Sequence, residues 1–265
     1  MKLICYNICM KISNDEEVAN FLIDQKPDIV CFQEIMRHFE DKVFDMYKSK
    51  SVLDKKLKGI LPNSFFGPSY FSDGIRLKKG VMHRDFNGFV EQGNQVSSRF
   101  EIIEAKNLFF HKSYSLAKDW SNFKVDDHAR NIVSSVIDVN GKKVRVLNIH
   151  GTHTKDKLDS DRSLKQIKFI LDLLEGEDLP IILAGDFNLL PETEGIKMLS
   201  KRLNNLVEKY NIHFTRPSFD DGLDVGDNVV DYIFVCDKIK VNDFKVVKTS
   251  ISDHFPLVLD FEVLS

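Results

Sequence analysis

Short apolar runs that end abruptly in polar clusters set the rhythm of this chain. Residues 2–8, Pro27-Asp-Ile-Val-Cys-Phe32, Val144-Arg-Val-Leu-Asn-Ile149 and Pro180-Ile-Ile-Leu-Ala184 are each short and rich in Ile, Val and Leu. That length and composition predict buried strands. Helical spacing fills the gaps between them. Ser13-Asn-Asp-Glu16 offers a capping box for a helix whose inner face is Val18, Phe21 and Leu22, and Pro27 ends it. From 39 to 57 the apolar positions Val43, Phe44, Tyr47 and Leu53 suit one amphipathic helix or two short ones. A further helix over 158–174 places Leu164, Ile167, Leu171 and Leu174 on one face, and another is expected over 192–203.

Between about 95 and 150 the period shortens to that of strands. Phe100-Glu-Ile-Ile103, Leu108 to Tyr114 and Ile132 to Val139 are set apart by turn formers, and Asn140-Gly141 is a hairpin signal that leads into 143–149. Closing strands are expected at 229–235 and 255–261, with a short one at 244–247. The chain shows neither an internal repeat nor a low-complexity linker, so residues 1–265 read as a single α/β domain, a boundary near 140 being the weaker alternative.

Composition narrows the partners. With 43% hydrophobic and 29% charged residues the 265-residue chain can build a full core, and a net charge of −3 argues against a protein that coats nucleic acid non-specifically. Cys5, Cys9, Cys31 and Cys236 fall mostly in strands without a C-x-x-C pair, which points to buried reduced thiols and a cytoplasmic protein. Asn7 and Lys11 interrupt the first apolar run, so it does not read as a signal peptide, and no stretch has the length of a membrane helix.

Candidate chemistry sits where the strands stop. Gln33-Glu34, His150, Gly185-Asp186-Phe187-Asn188, Asp231 and Ser252-Asp253-His254 each follow or open an apolar run, and Asn7 places an amide within the first one. Taken singly, Asp186 is a turn residue, Glu34 a solvated helix start and His150 a satisfied core histidine. Five strand ends that all carry site-type residues are better explained by one site. Glu34, supported by Asn7 and Asp253, offers the hard oxygen ligands that Mg²⁺ or Mn²⁺ prefers. Asp186 could orient or deprotonate a water, with Asn188 donating to that water or to the developing phosphorane, while His150 and His254 donate to phosphate oxygens. Asp231 is placed to hold an imidazole in one tautomer.

These residues resemble the endonuclease/exonuclease/phosphatase superfamily, the DNase I-like proteins. The resemblance covers nearly the whole chain and rests on Tyr6-Asn7, Phe32-Gln33-Glu34, Gly93-Asn94 to Ser98-Arg99-Phe100, Asn148-Ile-His150, Gly185-Asp-Phe-Asn188, Val230-Asp-Tyr-Ile233 and Ser252-Asp-His254. It implies a four-layer α/β/β/α sandwich of two mixed β-sheets flanked by helices, acting as a divalent-metal-dependent phosphoester hydrolase. By the same resemblance Glu34 is the principal metal ligand, with Asn7 and Asp253 beside the metal or phosphate. Asp186 and Asn188 surround the nucleophilic water, His254 pairs with Asp231, and His150 binds the scissile phosphate. Whether His254 or Asp186 is the general base stays open. Cys9 and Met36 stand where members resembling repair endonucleases carry Asp and Lys, which counts against an abasic-site endonuclease.

Substrate is less sharply marked. Residues 55–84 hold seven Lys or Arg against Asp73 alone, together with Phe65, Phe66, Tyr70 and Phe71, a composition that could grip a polyanion and stack bases. The plainer alternative buries Phe65 and Phe66 and leaves the lysines solvated. Arg99, Arg130 and His153 are further candidates to line the phosphate approach. The acidic stretch 220–227 lacks EF-hand spacing and reads as a solvated loop. The expectation is a monomeric phosphodiesterase or nuclease acting on DNA, RNA or a nucleotide-like phosphodiester. The alternatives are a phosphatase or phospholipase C-type enzyme for a small phosphate ester or lipid head group, and an inactive phosphate-binding module.

Overall fold

Side chains alternate faces along a strand, and in the first two strands that alternation separates two cores. A computed structural model describes residues 1–8, 14–39, 47–78, 81–84, 88–116, 128–154, 156–216 and 228–264, with backbone alone for 75–78 and 81–84. The first seven strands are β1 Lys2–Asn7, β2 Ile29–His38, β3 Asn63–Ser72, β4 Ile75–Lys78, β5 Val81–Arg84, β6 Val90–Ser98 and β7 Ile102–His111. They are followed by β8 Arg130–Val139, β9 Lys142–His150, β10 Ile181–Asp186, β11 Asn204–Asn205, β12 Asp231–Val235, β13 Ile239–Val246 and β14 Leu257–Val263. The helices are α1 Asp15–Gln25, α2 Ser49–Leu57, α3 Asp161–Leu174, α4 Glu194–Ser200 and α5 Leu206–Lys209.

Two six-stranded sheets result, ordered β13-β14-β1-β2-β6-β3 and β11-β12-β10-β9-β8-β7, and β4 and β5 form a separate hairpin. Both sheets are mixed, because β1 runs parallel to β2 and β9 parallel to β10 while the other pairs are antiparallel. Leu3, Cys5, Ile29 and Cys31 point inward, into the same core as Ile149 and Leu183 of the second sheet. Their neighbours Ile4, Tyr6, Val30 and Phe32 point outward and are covered by Val18 and Leu22 of α1 and by Leu53 and Leu57 of α2. The other three helices pack on the second sheet, with Ile167, Ile196 and Leu206 in its core. This is the expected sandwich of two mixed sheets with helices on the outer faces.

The structure changes several local expectations. The α1 cap is Asn14, whose Oδ1 accepts from Glu16 N at 3.0 Å, while Ser13 lies outside the described residues. Strand β2 runs six residues past Phe32, because β6 keeps pairing with it beyond a bulge between Phe32 and Ile35. Phe39 therefore ends an extended segment rather than opening a helix, and helix α2 begins only at Ser49; Val43 and Phe44 lie outside the described residues. Strand β3 crosses a stretch read as a basic loop. Its alternation is broken by Gly67-Pro68 and by a bulge between Pro68 and Tyr70, which hid it from periodicity. The two short strands expected over 100–114 are one, β7.

Helix α3 is turned relative to its apolar stripe. Leu164 is 38% exposed, whereas Gln166 and Ile170 are buried. The reason is polar: the Gln166 carboxamide accepts from Thr152 N at 2.6 Å and so satisfies the backbone just beyond His150. Cys5, Cys31 and Cys236 are free thiols, the first two buried, and Cys9 lies outside the described residues. Among the described residues no helix is long and apolar enough to cross a membrane.

Candidate active site

Strand direction brings the polar clusters to one end of the sandwich. In the first sheet Asn7 lies opposite Gln33, and in the second Asp186 lies opposite His150 on one side and Asp231 on the other. Parallel β1 and β9–β10 end here, and β12 and β14 begin here, with Asp253 and His254 just ahead of β14. The sheets are tied beneath the site by amides. Gln33 Nε2 donates to Asn148 Oδ1 at 2.6 Å, and Asn148 Nδ2 donates to the carbonyls of Phe32 and Gln95 at 2.9 and 3.0 Å. Buried amides satisfied in this way fix the register between the sheets.

Backbone conformations at this end are unusual. Glu34 sits at the β2 bulge with φ 61°, and Asn188 and Lys157 have φ of 56° and 58°. A left-handed conformation in a residue with a side chain costs about 1 kcal/mol and clusters where geometry serves a site. Gly185 has φ 152°, and a Cβ there would lie 2.0 Å from the Ile149 carbonyl, so only glycine lets β10 lie this close to β9.

Asp186 is the hub. Its Oδ2 accepts from Asn7 Nδ2 at 3.1 Å and lies 3.6 Å from His150 Nε2 and 3.9 Å from His254 Nε2, while its Oδ1 accepts from Asn188 N at 2.8 Å. Burial alone would raise its pKa, but His254, His150, Lys157 and the Asn188 N–H outweigh that and hold it at about 2. On the far side of His254, Nδ1 lies 2.8 Å from Asp231 Oδ2. Thr215 Oγ1 donates to the same carboxylate oxygen at 2.7 Å and fixes it. Burial lowers the pKa of His254, yet the charge and hydrogen bond of Asp231, with Asp186 and Asp253 behind, raise it to about 9. Burial also pushes the Asp231 carboxyl up, so the two groups compete for one proton. With three carboxylates facing the ring, the imidazole keeps it. His150 is driven the other way, well below its ordinary value, first by burial and then by Arg130, and is a neutral donor.

Glu34 faces this cluster from the first sheet, its Oε1 3.5 Å from Asn7 Nδ2. Burial, then Asp253 and Asp186, hold its carboxyl above the ordinary range against the pull of His254 and Arg130. Carboxylates that raise one another's pKa form a place where a divalent cation is welcome, and the oxygens of Glu34, Asp253 and the Asn7 carboxamide are hard donors of the kind that Mg²⁺ or Mn²⁺ takes. These residues fit the metal. Asp186, Asp231 and His254 also bring ligand atoms within 4.8 Å of one another. Their atoms are engaged with Asn188, Thr215 and each other, as Asp253 is with Arg216.

Of the residues singled out in the sequence, Asn7, Glu34, His150, Asp186, Asn188, Asp231, Asp253 and His254 converge. Arg130 joins them: its guanidinium is buried, with no hydrogen bond among the described residues; burial lowers its pKa, and the charges of Tyr70, Asp186 and Glu34 act against that. His153 lies nearby, its pKa lowered to about 4 by burial, Lys157 and Arg130. Arg99 does not join them. Strand β6 runs antiparallel to β2, with Ser98 opposite Ile29, so Arg99 lies at the opposite end and pairs with Asp28 at 3.0 Å. Lys56 of the basic segment pairs with Glu16 on an exposed helix face. Phe66 is buried in the core under α2, and Phe65 packs partly buried against the inter-sheet core, as the plainer reading of that segment has it. The acidic stretch 220–227 lies outside the described residues.

Sequence reasoning missed four contributors. Lys157 Nζ donates to Asn188 Oδ1 at 2.9 Å, Arg216 Nη2 lies 3.1 Å from Asp253 Oδ2, Thr215 anchors Asp231, and His128 packs on Tyr70 with ring centroids 4.4 Å apart. Thr-Lys-Asp-Lys157 and Thr215-Arg216 read as ordinary loop residues, and nothing local marks them as inward facing.

The sequence profile of the endonuclease/exonuclease/phosphatase family matches residues 4–254. A search of curated proteins returns no match. A solved structure from Beutenbergia cavernae DSM 12333, described as an endonuclease/exonuclease/phosphatase, superimposes with a TM-score of 0.73 at 17% identity, over 100% of this chain and 72% of that one. An endonuclease/exonuclease/phosphatase family protein from Leptotrichia buccalis C-1013-b gives 0.69 at 20% identity, over 99% of each chain. A mannosyl-6-phosphatase from Bacteroides thetaiotaomicron VPI-5482 gives 0.64 at 17% identity, again over 99% of each. At these identities the likeness is one of fold. The profile match spans nearly the whole chain, and the chain belongs to the endonuclease/exonuclease/phosphatase family of phosphoester hydrolases.

Proposed function

We propose that this protein is a Mg²⁺- or Mn²⁺-dependent phosphodiesterase acting on nucleic acid or a nucleotide-like phosphodiester. The observation that carries the reading is Asp186 Oδ2, faced by the Nε2 atoms of both His150 and His254 and by Asn7 Nδ2. An ionised carboxylate ringed by donors can accept from a water and aim its lone pair at a phosphorus atom. His254, kept protonated by Asp231, supplies positive charge as the phosphorane forms, and neutral His150 and buried Arg130 supply donors to the non-bridging oxygens. Glu34, Asp253 and the Asn7 carboxamide oxygen would hold the metal, which when bound adds Lewis-acid charge at a phosphate oxygen.

Tyr70 and His128, their rings 4.4 Å apart and tilted by 42°, form an aromatic pair close to Arg130, which supports a substrate with a flat unit next to its phosphate. A phosphomonoester is the second reading, favoured by the cations gathered at this end, Arg130, Lys157 and Arg216, which suit a dianion. The same proposal takes residues 1–265 as one domain working as a monomer in the cytoplasm, a reducing compartment that suits the three free thiols among the described residues. The test is turnover of single-stranded DNA, duplex DNA, RNA, bis(p-nitrophenyl) phosphate and p-nitrophenyl phosphate, each in Mg²⁺, Mn²⁺ and EDTA. Metal-dependent cleavage of a diester supports the proposal. Cleavage of the monoester alone moves it to the second reading, and turnover in EDTA equal to that in metal overturns the metal assignment.

A further inference from the structure

Lys157 is the one lysine among the described residues buried at the site, 4% exposed, and its ammonium meets the oxygen of a neutral amide, Asn188 Oδ1, at 2.9 Å. We propose that Lys157 is a positioning residue, whose buried ammonium turns the Asn188 carboxamide so that its NH₂ end faces the reacting phosphate. This rests on the phosphoester-hydrolase reading of the site.

A carboxamide has two nearly isosteric orientations that exchange a donor for an acceptor. An ammonium has three donors and no acceptor, so it tolerates only the orientation that offers it oxygen. The flipped amide would set NH₂ against NH₃⁺ in a buried place. The Asn188 backbone cannot relieve such a conflict, because its N–H is held by Asp186 Oδ1 at 2.8 Å and its φ is 56°. Both loops are tied together as well, since Leu190 N donates to the Lys157 carbonyl at 2.9 Å. With Oδ1 engaged, Asn188 Nδ2 has one long contact among the described residues, 3.5 Å to the Gly151 carbonyl, and its second N–H can serve an anion or a water. Lys157 also adds its charge to that of His254 in keeping Asp186 ionised against burial.

The experiment is a double-mutant cycle on bis(p-nitrophenyl) phosphate with Mn²⁺, using wild type, Lys157→Met, Asn188→Ala and the pair, with Lys157→Arg as the conservative variant. Lys157→Met should lower kcat about 10- to 100-fold at nearly constant KM, as expected for a charged hydrogen bond acting through a donor to the transition state. In the Asn188→Ala background the same change should cost less than about twofold, and Lys157→Arg should recover most of the loss. Equal losses in both backgrounds, or a kcat within about twofold of wild type for Lys157→Met, overturn the proposal. Lys157→Gln carries the same comparison if the methionine variant unfolds. In the metal-free protein the Asn188 side-chain amide resonance, identified by its absence in Asn188→Ala, should move in Lys157→Met. An unmoved resonance overturns the positioning role whether or not any phosphoester is cleaved, whereas a moved resonance without turnover leaves the positioning intact and removes the hydrolase reading instead.

Discussion

The two ends of this sandwich carry similar polar residues under opposite physical regimes. At the end where β1 and β10 start, Arg99 meets Asp28, Arg145 meets Glu177 and Asn140-Gly141 turns the β8–β9 hairpin with φ of 55° and 86°. Arg99 is 57% exposed, and a pair such as its own with Asp28 contributes about 0–1 kcal/mol. Where the same strands finish, Asp186, Asp231 and His254 are all below 10% exposed, and their pKa values are pushed apart from about 2 to about 9. Paired acids and bases drawn away from their ordinary values are what hydrolytic chemistry requires. One end uses its left-handed residue, Asn140, to make a hairpin turn, whereas the other places left-handed Glu34, Lys157 and Asn188 within the polar cluster.

Substitutions that treat the two ends alike would break this contrast. The largest effect is expected for His254→Ala, which should lower kcat at least ~100-fold on any cleaved phosphoester while the melting curve shows a folded protein. A retained rate would place the charge stabilisation elsewhere. Next, Glu34→Gln should raise the Mn²⁺ concentration needed for half-maximal rate by at least about tenfold, since one hard anionic ligand becomes neutral. An unchanged metal titration would move the ligand set towards Asp186 and Asp231.

A smaller effect is expected from pH. The pKa of His254 is raised in the folded state, so the stability it contributes is fully present below its ordinary value near 6.5 and is lost as pH rises through about 9. The melting temperature should therefore decline between those values, and Asp231→Asn should flatten the decline. A slope that persists in the variant would assign it to other groups. Smallest of all, Arg99→Ala should leave turnover within about twofold and stability within about 1 kcal/mol.

The same contrast explains what could be read from the sequence. Asn7, Glu34, His150, Asp186, Asp231 and His254 were legible because each interrupts or ends a run that has no other use for a polar residue. Arg99 sits at an equally sharp strand end, and only the antiparallel pairing of β6 with β2 reveals that this end is the far one. Lys157, Thr215 and Arg216 were illegible for a different reason: they are loop residues whose burial depends on packing between the loops that leave the sheets. Gln166 shows the same limit within a helix, where a backbone donor beyond β9 claims the inward position over Leu164.

The central claim, that catalysis is organised around Asp186, is tested most directly by the Mn²⁺-dependent rate of Asp186→Asn relative to wild type, an isosteric change that removes one charge. The expected result is a fall in kcat of at least ~100-fold with the fold intact. A rate within about threefold of wild type would contradict it, because the carboxylate would then be an inward-facing structural residue rather than the hub of the site.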